Sequence, residues 1–190
     1  MTLFTMVILA YCVGLRLGEF VRLTLGDVDL NGECIEIRTT KFFKSRRLPV
    51  SASVISALRQ YLDMRRRAGA AVEASAPLFW NERKRSGYAV ITVQSLLVSV
   101  LRRAGVKTER GRVGPRIHDF RHTFVVDRMT SWYREGINPQ SRLPYLATFL
   151  GHKNIYSTLV YLTVTPQLIQ LASERFRSSA ALLRNKGETT

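Results

Sequence analysis

The closing third of the chain contains residue types that can form a phosphate-binding site beside a nucleophile. His118 and Arg121 lie three residues apart, His152 closes Leu150-Gly151-His152, and Tyr161 comes nine residues later. Arginine offers two donors to two phosphate oxygens and keeps its charge, and imidazoles donate hydrogen bonds or move protons. The spacing therefore predicts phosphoryl transfer to a tyrosine hydroxyl, which would cut and rejoin a nucleic-acid strand.

Two further cations, nearer the N-terminus, complete a predicted set of six side chains. Arg16 stands in Gly14-Leu15-Arg16-Leu17-Gly18-Glu19, and we expect it to clamp the phosphate together with Arg121. Taken alone, Arg16 is better explained by an ion pair with Glu19, three residues along a helix. Lys41 lies in a basic segment that reads as a hairpin, from which it can protonate the departing 5′-oxygen as a general acid.

The choice of Tyr161 needs a reason, because the chain contains seven tyrosines. A phenol has a pKa of about 10 and attacks phosphorus poorly until nearby cations favour the phenolate. The path from His152 to Tyr161 spans a turn plus about two helical turns, which is enough to fold the phenol back toward the imidazole. Tyr156 is the obvious alternative, but it sits on the first turn of the same helix.

The charge of the chain points to an anionic partner. Lys and Arg number 29 against 14 Asp and Glu, which gives a net charge of +15 for the 190 residues. Such an excess repels itself unless the partner is anionic, and nucleic acid is the commonest such partner. The segment from Arg38 to Arg47 contains five cations and no acid. Within it, Lys44, Arg46 and Arg47 are predicted to contact DNA phosphates.

The elements that must position these residues are predicted mainly as helices. The apolar run from Leu3 to Val13 reads as a buried helix, too short for a bilayer crossing of about 20 residues. Alternation predicts strands between Glu33 and Val50, with Thr39 to Arg46 at the exposed tip of a hairpin. Ser51 is expected to begin a helix that ends at Arg65-Arg66-Arg67. The chain is therefore predicted to be one α+β domain, mostly α-helical, with a small antiparallel β-sheet.

Three later helix starts are assigned from capping residues. Thr92 is predicted to cap one helix, and Pro144 is predicted to be the first residue of a short helix that ends near Gly151. Asn154 is predicted to cap the helix that carries Tyr161.

The two cysteines and the N-terminal segment bear on location. Cys12 and Cys34 do not have the CxxC spacing of a metal site, and the N-terminal apolar run lacks the basic region and cleavage site expected of a signal peptide. Both are predicted to be small core residues. Without a signal or a membrane span, the protein is expected in the cytoplasm and without a membrane partner.

These motifs together resemble the catalytic domain of the tyrosine recombinases, the phage integrase family. The resemblance runs from about Thr2 to Phe176, almost the whole chain. It rests on motifs that occur in order and with the expected spacing: Gly14 to Glu19, the Lys41 hairpin, His118-x-x-Arg121-His122-Thr123, and Leu150-Gly151-His152 with Tyr161. It implies the tyrosine-recombinase catalytic-domain fold over residues 1–184. Residues 185–190 are expected to form a flexible tail. The chain is expected to depart from the family pattern in one respect, the absence of the N-terminal core-binding domain.

The resemblance also implies a mechanism. Tyr161 would attack the scissile phosphate, form a 3′-phosphotyrosyl bond and release a 5′-hydroxyl. The other five side chains would hold or protonate phosphate oxygens: Arg16, Arg121 and His152 as clamps, His118 in proton transfer, Lys41 as the acid. Because the covalent bond conserves the energy of the cut, no cofactor or metal is expected. The implied partners are double-stranded DNA and further copies of the chain, as a tetramer on DNA, with a monomer off DNA left open.

Two alternatives remain open. His118 and His122 are four residues apart on a helix, so with His152 they can be ligands of a metal-dependent hydrolase. Against this, Asp119 occupies the position at which HExxH proteases have glutamate, and Arg121 would repel a cation. The second alternative is a noncatalytic DNA-binding module of the same fold. Whether the chain is a recombinase or a noncatalytic module, its affinity for DNA should fall steeply as the salt concentration rises, because phosphate contacts would supply most of that affinity.

Overall fold

A computed structural model of the protein describes residues 1–38, 45–108, 111, 113–152, 154, 156–159, 170–171 and 173–174. The chain forms two compact units, residues 1–124 and residues 125–190. None of the helices within the described ranges combines the length and the apolar character that a bilayer crossing requires.

The first unit is built around α1 (Thr2–Cys12), the predicted apolar opening helix. Helices α3 (Ala52–Arg67) and α4 (Val90–Arg103) pack against α1, and the short α2 (Leu17–Val21) contacts both α1 and α4. Residues from each of these helices have almost no exposed surface: Met6, Leu9, Phe20, Leu58 and Leu97. Burial of these apolar surfaces is the main favourable contribution to the stability of this unit.

A three-stranded antiparallel sheet in the order β1-β2-β3 follows α2. Its strands are β1 (Val28–Asp29), β2 (Cys34–Ile37) and β3 (Arg46–Pro49). Ile37 pairs with Arg46, so the basic segment connects β2 to β3 beyond this last pair. The predicted strands on both sides of the segment are therefore confirmed. Lys41 and Lys44 lie outside the described residues.

A second, two-stranded antiparallel sheet consists of β4 (Trp80–Asn81) and β5 (Ser86–Gly87). The sequence did not predict it, because strands of two residues are too short to show an alternating pattern. The cysteine prediction is correct for Cys34, which is buried, and wrong for Cys12, which is exposed at the end of α1.

The end of α3 differs from a simple charged helix terminus. Arg65 is only 4% exposed, although it lies in the last turn of α3. Its guanidinium donates to the carbonyl oxygens of Ala71, Pro77 and Leu78, and it lies 5.8 Å from the ring centroid of Trp80. Arg65 thereby holds the segment that leads from α3 to β4 against the helix.

Two helix starts differ from their predicted positions. α4 begins at Val90 after the extended residue Ala89, so the predicted cap at Thr92 is wrong. Helix α6 (Pro139–Leu150) begins five residues before the predicted start at Pro144. Asn138 caps it: its Oδ1 accepts from the amide of Gln140 at 3.1 Å, and the proline in the first helical position needs no amide partner. The predicted end near Gly151 is confirmed, since Gly151 adopts a φ of 66° there.

Helix α5 (Ile117–Arg134) begins in the first unit and ends in the second, which also contains α6 and α7 (Tyr156–Leu159). Helices α6 and α7 pack against each other. The predicted cap at Asn154 is confirmed, because its Oδ1 accepts from the amide of Ser157 at 3.1 Å. Tyr161 lies outside the described residues.

Candidate functional site

Arg121, near the start of α5, is only 1% exposed. Its Nη1 donates to the carbonyl oxygen of Gly14 at 2.8 Å and lies 4.0 Å from Oε2 of Glu19. A charge at such a depth is tolerated only where it is paired and hydrogen-bonded, and these contacts fix the guanidinium in one orientation. A fixed, buried guanidinium is what is needed to hold a phosphate oxygen at a defined position.

The turn between α1 and α2 brings the Gly14 carbonyl to this guanidinium. Gly14 has a φ of +66°, which a side chain would strain. A Cβ atom built at this position would lie only 2.6 Å from Cδ1 of Phe124. Glycine is therefore required here both by the backbone conformation and by the close approach of α5.

Glu19 connects three arginines. Its Oε1 lies 3.0 Å from Nη1 of Arg16, and its Oε2 accepts from the Arg16 backbone amide at 2.9 Å. The same Oε2 lies 3.0 Å from Nη2 of Arg46. The Arg16 side chain is 38% exposed, whereas those of Glu19 and Arg46 are 13% and 10% exposed. The ion pair expected from the three-residue spacing thus exists, and it leaves Arg16 accessible to a ligand.

We call Arg16, Arg46, Arg121 and Glu19 the arginine cluster. Burial raises the pKa of Glu19, but the charge of Arg46, the Arg16 amide and the charges of Arg16 and Arg121 together lower that pKa below its ordinary value. Glu19 is therefore ionised at neutral pH. Three guanidiniums around one carboxylate leave two net positive charges in the cluster.

His118 lies one turn before Arg121 on α5 and is exposed. Desolvation lowers the pKa of His118, and the positive charges of Arg121 and Arg16 lower it further. The imidazole is therefore mainly neutral at neutral pH, a state in which it can accept a proton. The charges that would hold a phosphate thus also keep this histidine available as a base.

His152 belongs to the second unit and follows Gly151, the residue that ends α6. Its Nδ1 lies 2.7 Å from Oγ1 of Thr158, a residue of α7 with no exposed surface. This short contact involves Nδ1 and helps to fix the orientation of the imidazole.

The structure thus brings Arg16, His118 and Arg121 together within the first unit. Sequence reasoning did not assign Glu19 and Arg46 to this site. The three-residue spacing from Arg16 was a signal for Glu19, but nothing in the sequence distinguishes Arg46 from the exposed Arg47 beside it.

Two further predictions concern the phosphate contact of Arg47 and a possible metal site formed by histidines. Arg47 is 66% exposed and lies 2.7 Å from Oδ2 of Asp29, so it stays a predicted phosphate contact. Among the residues that the structure describes, no group of three or more His, Cys, Asp or Glu side chains is arranged to hold a metal ion.

Comparison with known proteins identifies the family. A sequence model described as the phage integrase family matches residues 1–167. The chain belongs to the phage integrase family. A putative integrase/recombinase of Sinorhizobium fredii, y4rB, is 38% identical to this integrase-family chain over 162 residues, which are 85% of this chain and 51% of that protein. The tyrosine recombinase XerA of Thermococcus kodakarensis is 30% identical over 171 residues, 89% of this chain and 53% of XerA.

The fold of this chain is similar to that of a solved recombinase structure. The crystal structure of XerA recombinase superposes with a TM-score of 0.72 at 24% sequence identity, covering 93% of this chain and 58% of that one. The predicted α+β, mostly helical tyrosine-recombinase catalytic-domain fold is therefore confirmed. The chain spans about half the length of the curated relatives that it matches.

Proposed function

We propose that this chain is the catalytic part of a site-specific DNA recombinase, which cuts and rejoins DNA through a 3′-phosphotyrosyl intermediate. The observation that carries the proposal is the arginine cluster: one buried and one accessible guanidinium, Arg121 and Arg16, share a carboxylate that orients them. Family membership supplies the reaction to which such a pair is suited.

The cluster stabilises charge that grows during the reaction. A phosphodiester carries one negative charge, and the pentavalent transition state formed by attack of an oxyanion carries two. The two net positive charges of the arginine cluster match that transition state better than they match the substrate, which is the condition for lowering the barrier. Arg16 is the residue that exchanges its ion pair with Glu19 for a nonbridging oxygen, because its side chain is accessible.

The bonds change in one displacement. The Oη atom of Tyr161 forms a bond to phosphorus while the bond from phosphorus to O5′ breaks. The phenolic proton passes to a base, for which the neutral imidazole of His118 is suited, and Lys41 supplies the proton that O5′ takes up. His152 holds a nonbridging oxygen through Nε2. Attack of a 5′-hydroxyl on the phosphotyrosine reverses every step, so the reaction needs no cofactor.

The proposed partners are double-stranded DNA in the cytoplasm and further copies of the chain, as a tetramer on DNA. The positive charge of the chain and the exposed position of Arg47 support phosphate contacts, and Lys44 and Arg46 were assigned to the same group from the sequence. Affinity carried mainly by phosphate contacts should fall steeply as salt rises.

The test measures relaxation of supercoiled plasmid without magnesium, because this assay can be run without a known target sequence. Covalent protein–DNA adducts on nicked duplexes are trapped by denaturation in parallel. Tyr161→Phe should abolish both signals. Tyr156→Phe should abolish neither, since Tyr156 is 73% exposed at the start of α7 and is the matched control.

Two outcomes would contradict the proposal. Relaxation that persists in Tyr161→Phe would exclude Tyr161 as the nucleophile. A wild-type protein that binds DNA in a salt-sensitive manner but never forms an adduct would favour the noncatalytic DNA-binding module instead.

A further inference from the structure

Arg46 occupies an unusual position for a residue of the basic segment. It is the first residue of β3 and pairs with Ile37 at the end of the sheet from which the Lys41 segment extends. Its side chain is nevertheless only 10% exposed and lies 3.0 Å from Glu19, 27 residues earlier in the chain. Its neighbour Arg47, in the next position of the same strand, is 66% exposed and pairs with Asp29. Two adjacent arginines thus point in opposite directions and serve different carboxylates.

The contact of Arg46 with Glu19 affects the charge available to a ligand. Without Arg46, the cations that oppose the Glu19 carboxylate among the described residues would be Arg16 and Arg121, and the cluster would have one net positive charge instead of two. Glu19 would then hold Arg16 more strongly, in competition with a phosphate. A third cation that satisfies Glu19 removes this competition while Glu19 still orients Arg16.

We propose that Arg46 is a positioning residue of the phosphate-binding site: it neutralises Glu19 so that Arg16 and Arg121 present two net positive charges to a tetrahedral or pentavalent oxyanion. The inference deepens the proposed function and rests on it for the identity of the natural ligand. It assigns Arg46 a role through Glu19 rather than the direct DNA contact that the basic segment predicts. The pKa of Glu19 agrees, since Arg46 has the largest lowering effect on it.

The test uses orthovanadate, an oxyanion that adopts phosphate-like and pentavalent geometries, and follows its binding to the purified chain by titration calorimetry. Removing one charge next to the site should weaken vanadate binding about 10-fold in Arg46→Met, and should slow plasmid relaxation by a similar factor. Arg46→Lys, which keeps the charge, should stay close to wild type. Arg66→Met is the matched control, because Arg66 is also paired with a carboxylate, Asp63, but is 74% exposed on α3.

A double variant separates positioning from simple structural support. Glu19→Gln combined with Arg46→Met again has two net positive charges, so it should bind vanadate more tightly than Arg46→Met alone. If Arg46 only supported the fold, removal of the Glu19 charge as well would weaken vanadate binding further. Melting curves check folding first, and Arg46→Gln replaces Arg46→Met if the latter does not fold.

The kinetic pattern adds a second distinction. Arg47→Met should alter DNA affinity and its salt dependence, as expected for an exposed phosphate contact. Arg46→Met should instead lower the relaxation rate at saturating protein. Equal effects of Arg46→Met and Arg47→Met on affinity alone would overturn the inference.

Three further results would contradict the positioning role of Arg46. Vanadate binding by Arg46→Met equal to that of wild type would overturn the inference, and so would a double variant weaker than the single one. An absence of saturable vanadate binding by wild type would also overturn it. If the vanadate pattern holds but wild type never relaxes plasmid, the inference about an oxyanion site stands and the proposed recombinase function fails.

Discussion

Replacement of Thr158 by valine should slow DNA cleavage by changing the proton on His152. Valine has nearly the same shape as threonine but cannot form the 2.7 Å hydrogen bond to Nδ1. In the part of the chain that the structure describes, the Thr158 hydroxyl has no other hydrogen-bond partner. Because the residue is fully buried, we expect its hydroxyl to donate to Nδ1. Nε2 then carries the ring proton and can donate to a phosphate oxygen.

The size of the effect follows from that bond. Leaving a buried acceptor without a hydrogen bond costs about 1–3 kcal/mol, and the upper end of this range applies only where water cannot reach the acceptor. His152 is half-buried, so we take about 1–2 kcal/mol as the loss in transition-state binding. This corresponds to a relaxation rate lowered about 5- to 30-fold. Thr158→Ser keeps the hydroxyl and should restore most of the rate.

Two measurements check this prediction. Plasmid relaxation gives the rate, with Thr148→Val as the control, because Thr148 is an exposed residue of α6 whose hydroxyl donates to the Pro144 carbonyl. Nitrogen chemical shifts of labelled histidine give the tautomer directly, whether or not the protein cleaves DNA. Wild-type His152 that carries its proton on Nδ1, or a Thr158→Val enzyme as fast as wild type, would refute the reasoning.

Four further outcomes are expected. Glu19→Gln should lower the free energy of unfolding at pH 7 by about 2–3 kcal/mol. Because the folded-state pKa of Glu19 is depressed, this difference should shrink as the pH falls below the ordinary glutamate range and through the folded-state pKa, in a series of denaturant titrations from pH 7 downward. Arg65→Met should lower unfolding stability by about 3 kcal/mol, since three carbonyl oxygens each lose one hydrogen bond, whereas the exposed Arg66→Met should change the melting temperature little. Gly14→Ala should also destabilise the fold by at least about 1 kcal/mol through the positive φ and the contact with Phe124, and a melting temperature equal to wild type would contradict that account. As the pH is lowered, the relaxation rate should fall only at pH values below the ordinary pKa of histidine, because the pKa of His118 is lowered. The His118→Gln variant should not show this fall in rate at low pH.

Residue type and order along the chain were enough to propose the candidate site residues, but not to find the side chains that support them. Arg16 and Arg121 were chosen because arginine fits phosphate geometry, and the structure brings both to Glu19. That choice needed only residue type and order along the chain. The support from Arg46 depends on which face of β3 turns inward, and a strand of four residues with cations at two adjacent positions does not reveal that.

The same limit explains the errors in the fold. A proline begins α6, as expected of a helix start, but it is Pro139 rather than Pro144, because Asn138 caps the helix five residues before the predicted start. Arg65 was predicted only as part of a basic helix end, and the sequence did not indicate that three carbonyl oxygens of the following segment are its partners. Both cases concern hydrogen bonds whose partners are set by the path of the backbone, and residue types alone do not report that path.

Burial of charge has a functional consequence in this molecule. Placing Arg121 and Arg46 at 1% and 10% exposure costs desolvation energy, which Glu19 and the Gly14 carbonyl offset. If stability alone mattered, apolar residues of similar volume would serve as well or better at these positions. A cluster that keeps two net positive charges although burial opposes them is therefore best explained by an anionic ligand that completes it. On this reasoning, DNA or a simple oxyanion should stabilise the folded protein, and the stabilisation should be smaller in Arg46→Met than in Arg66→Met.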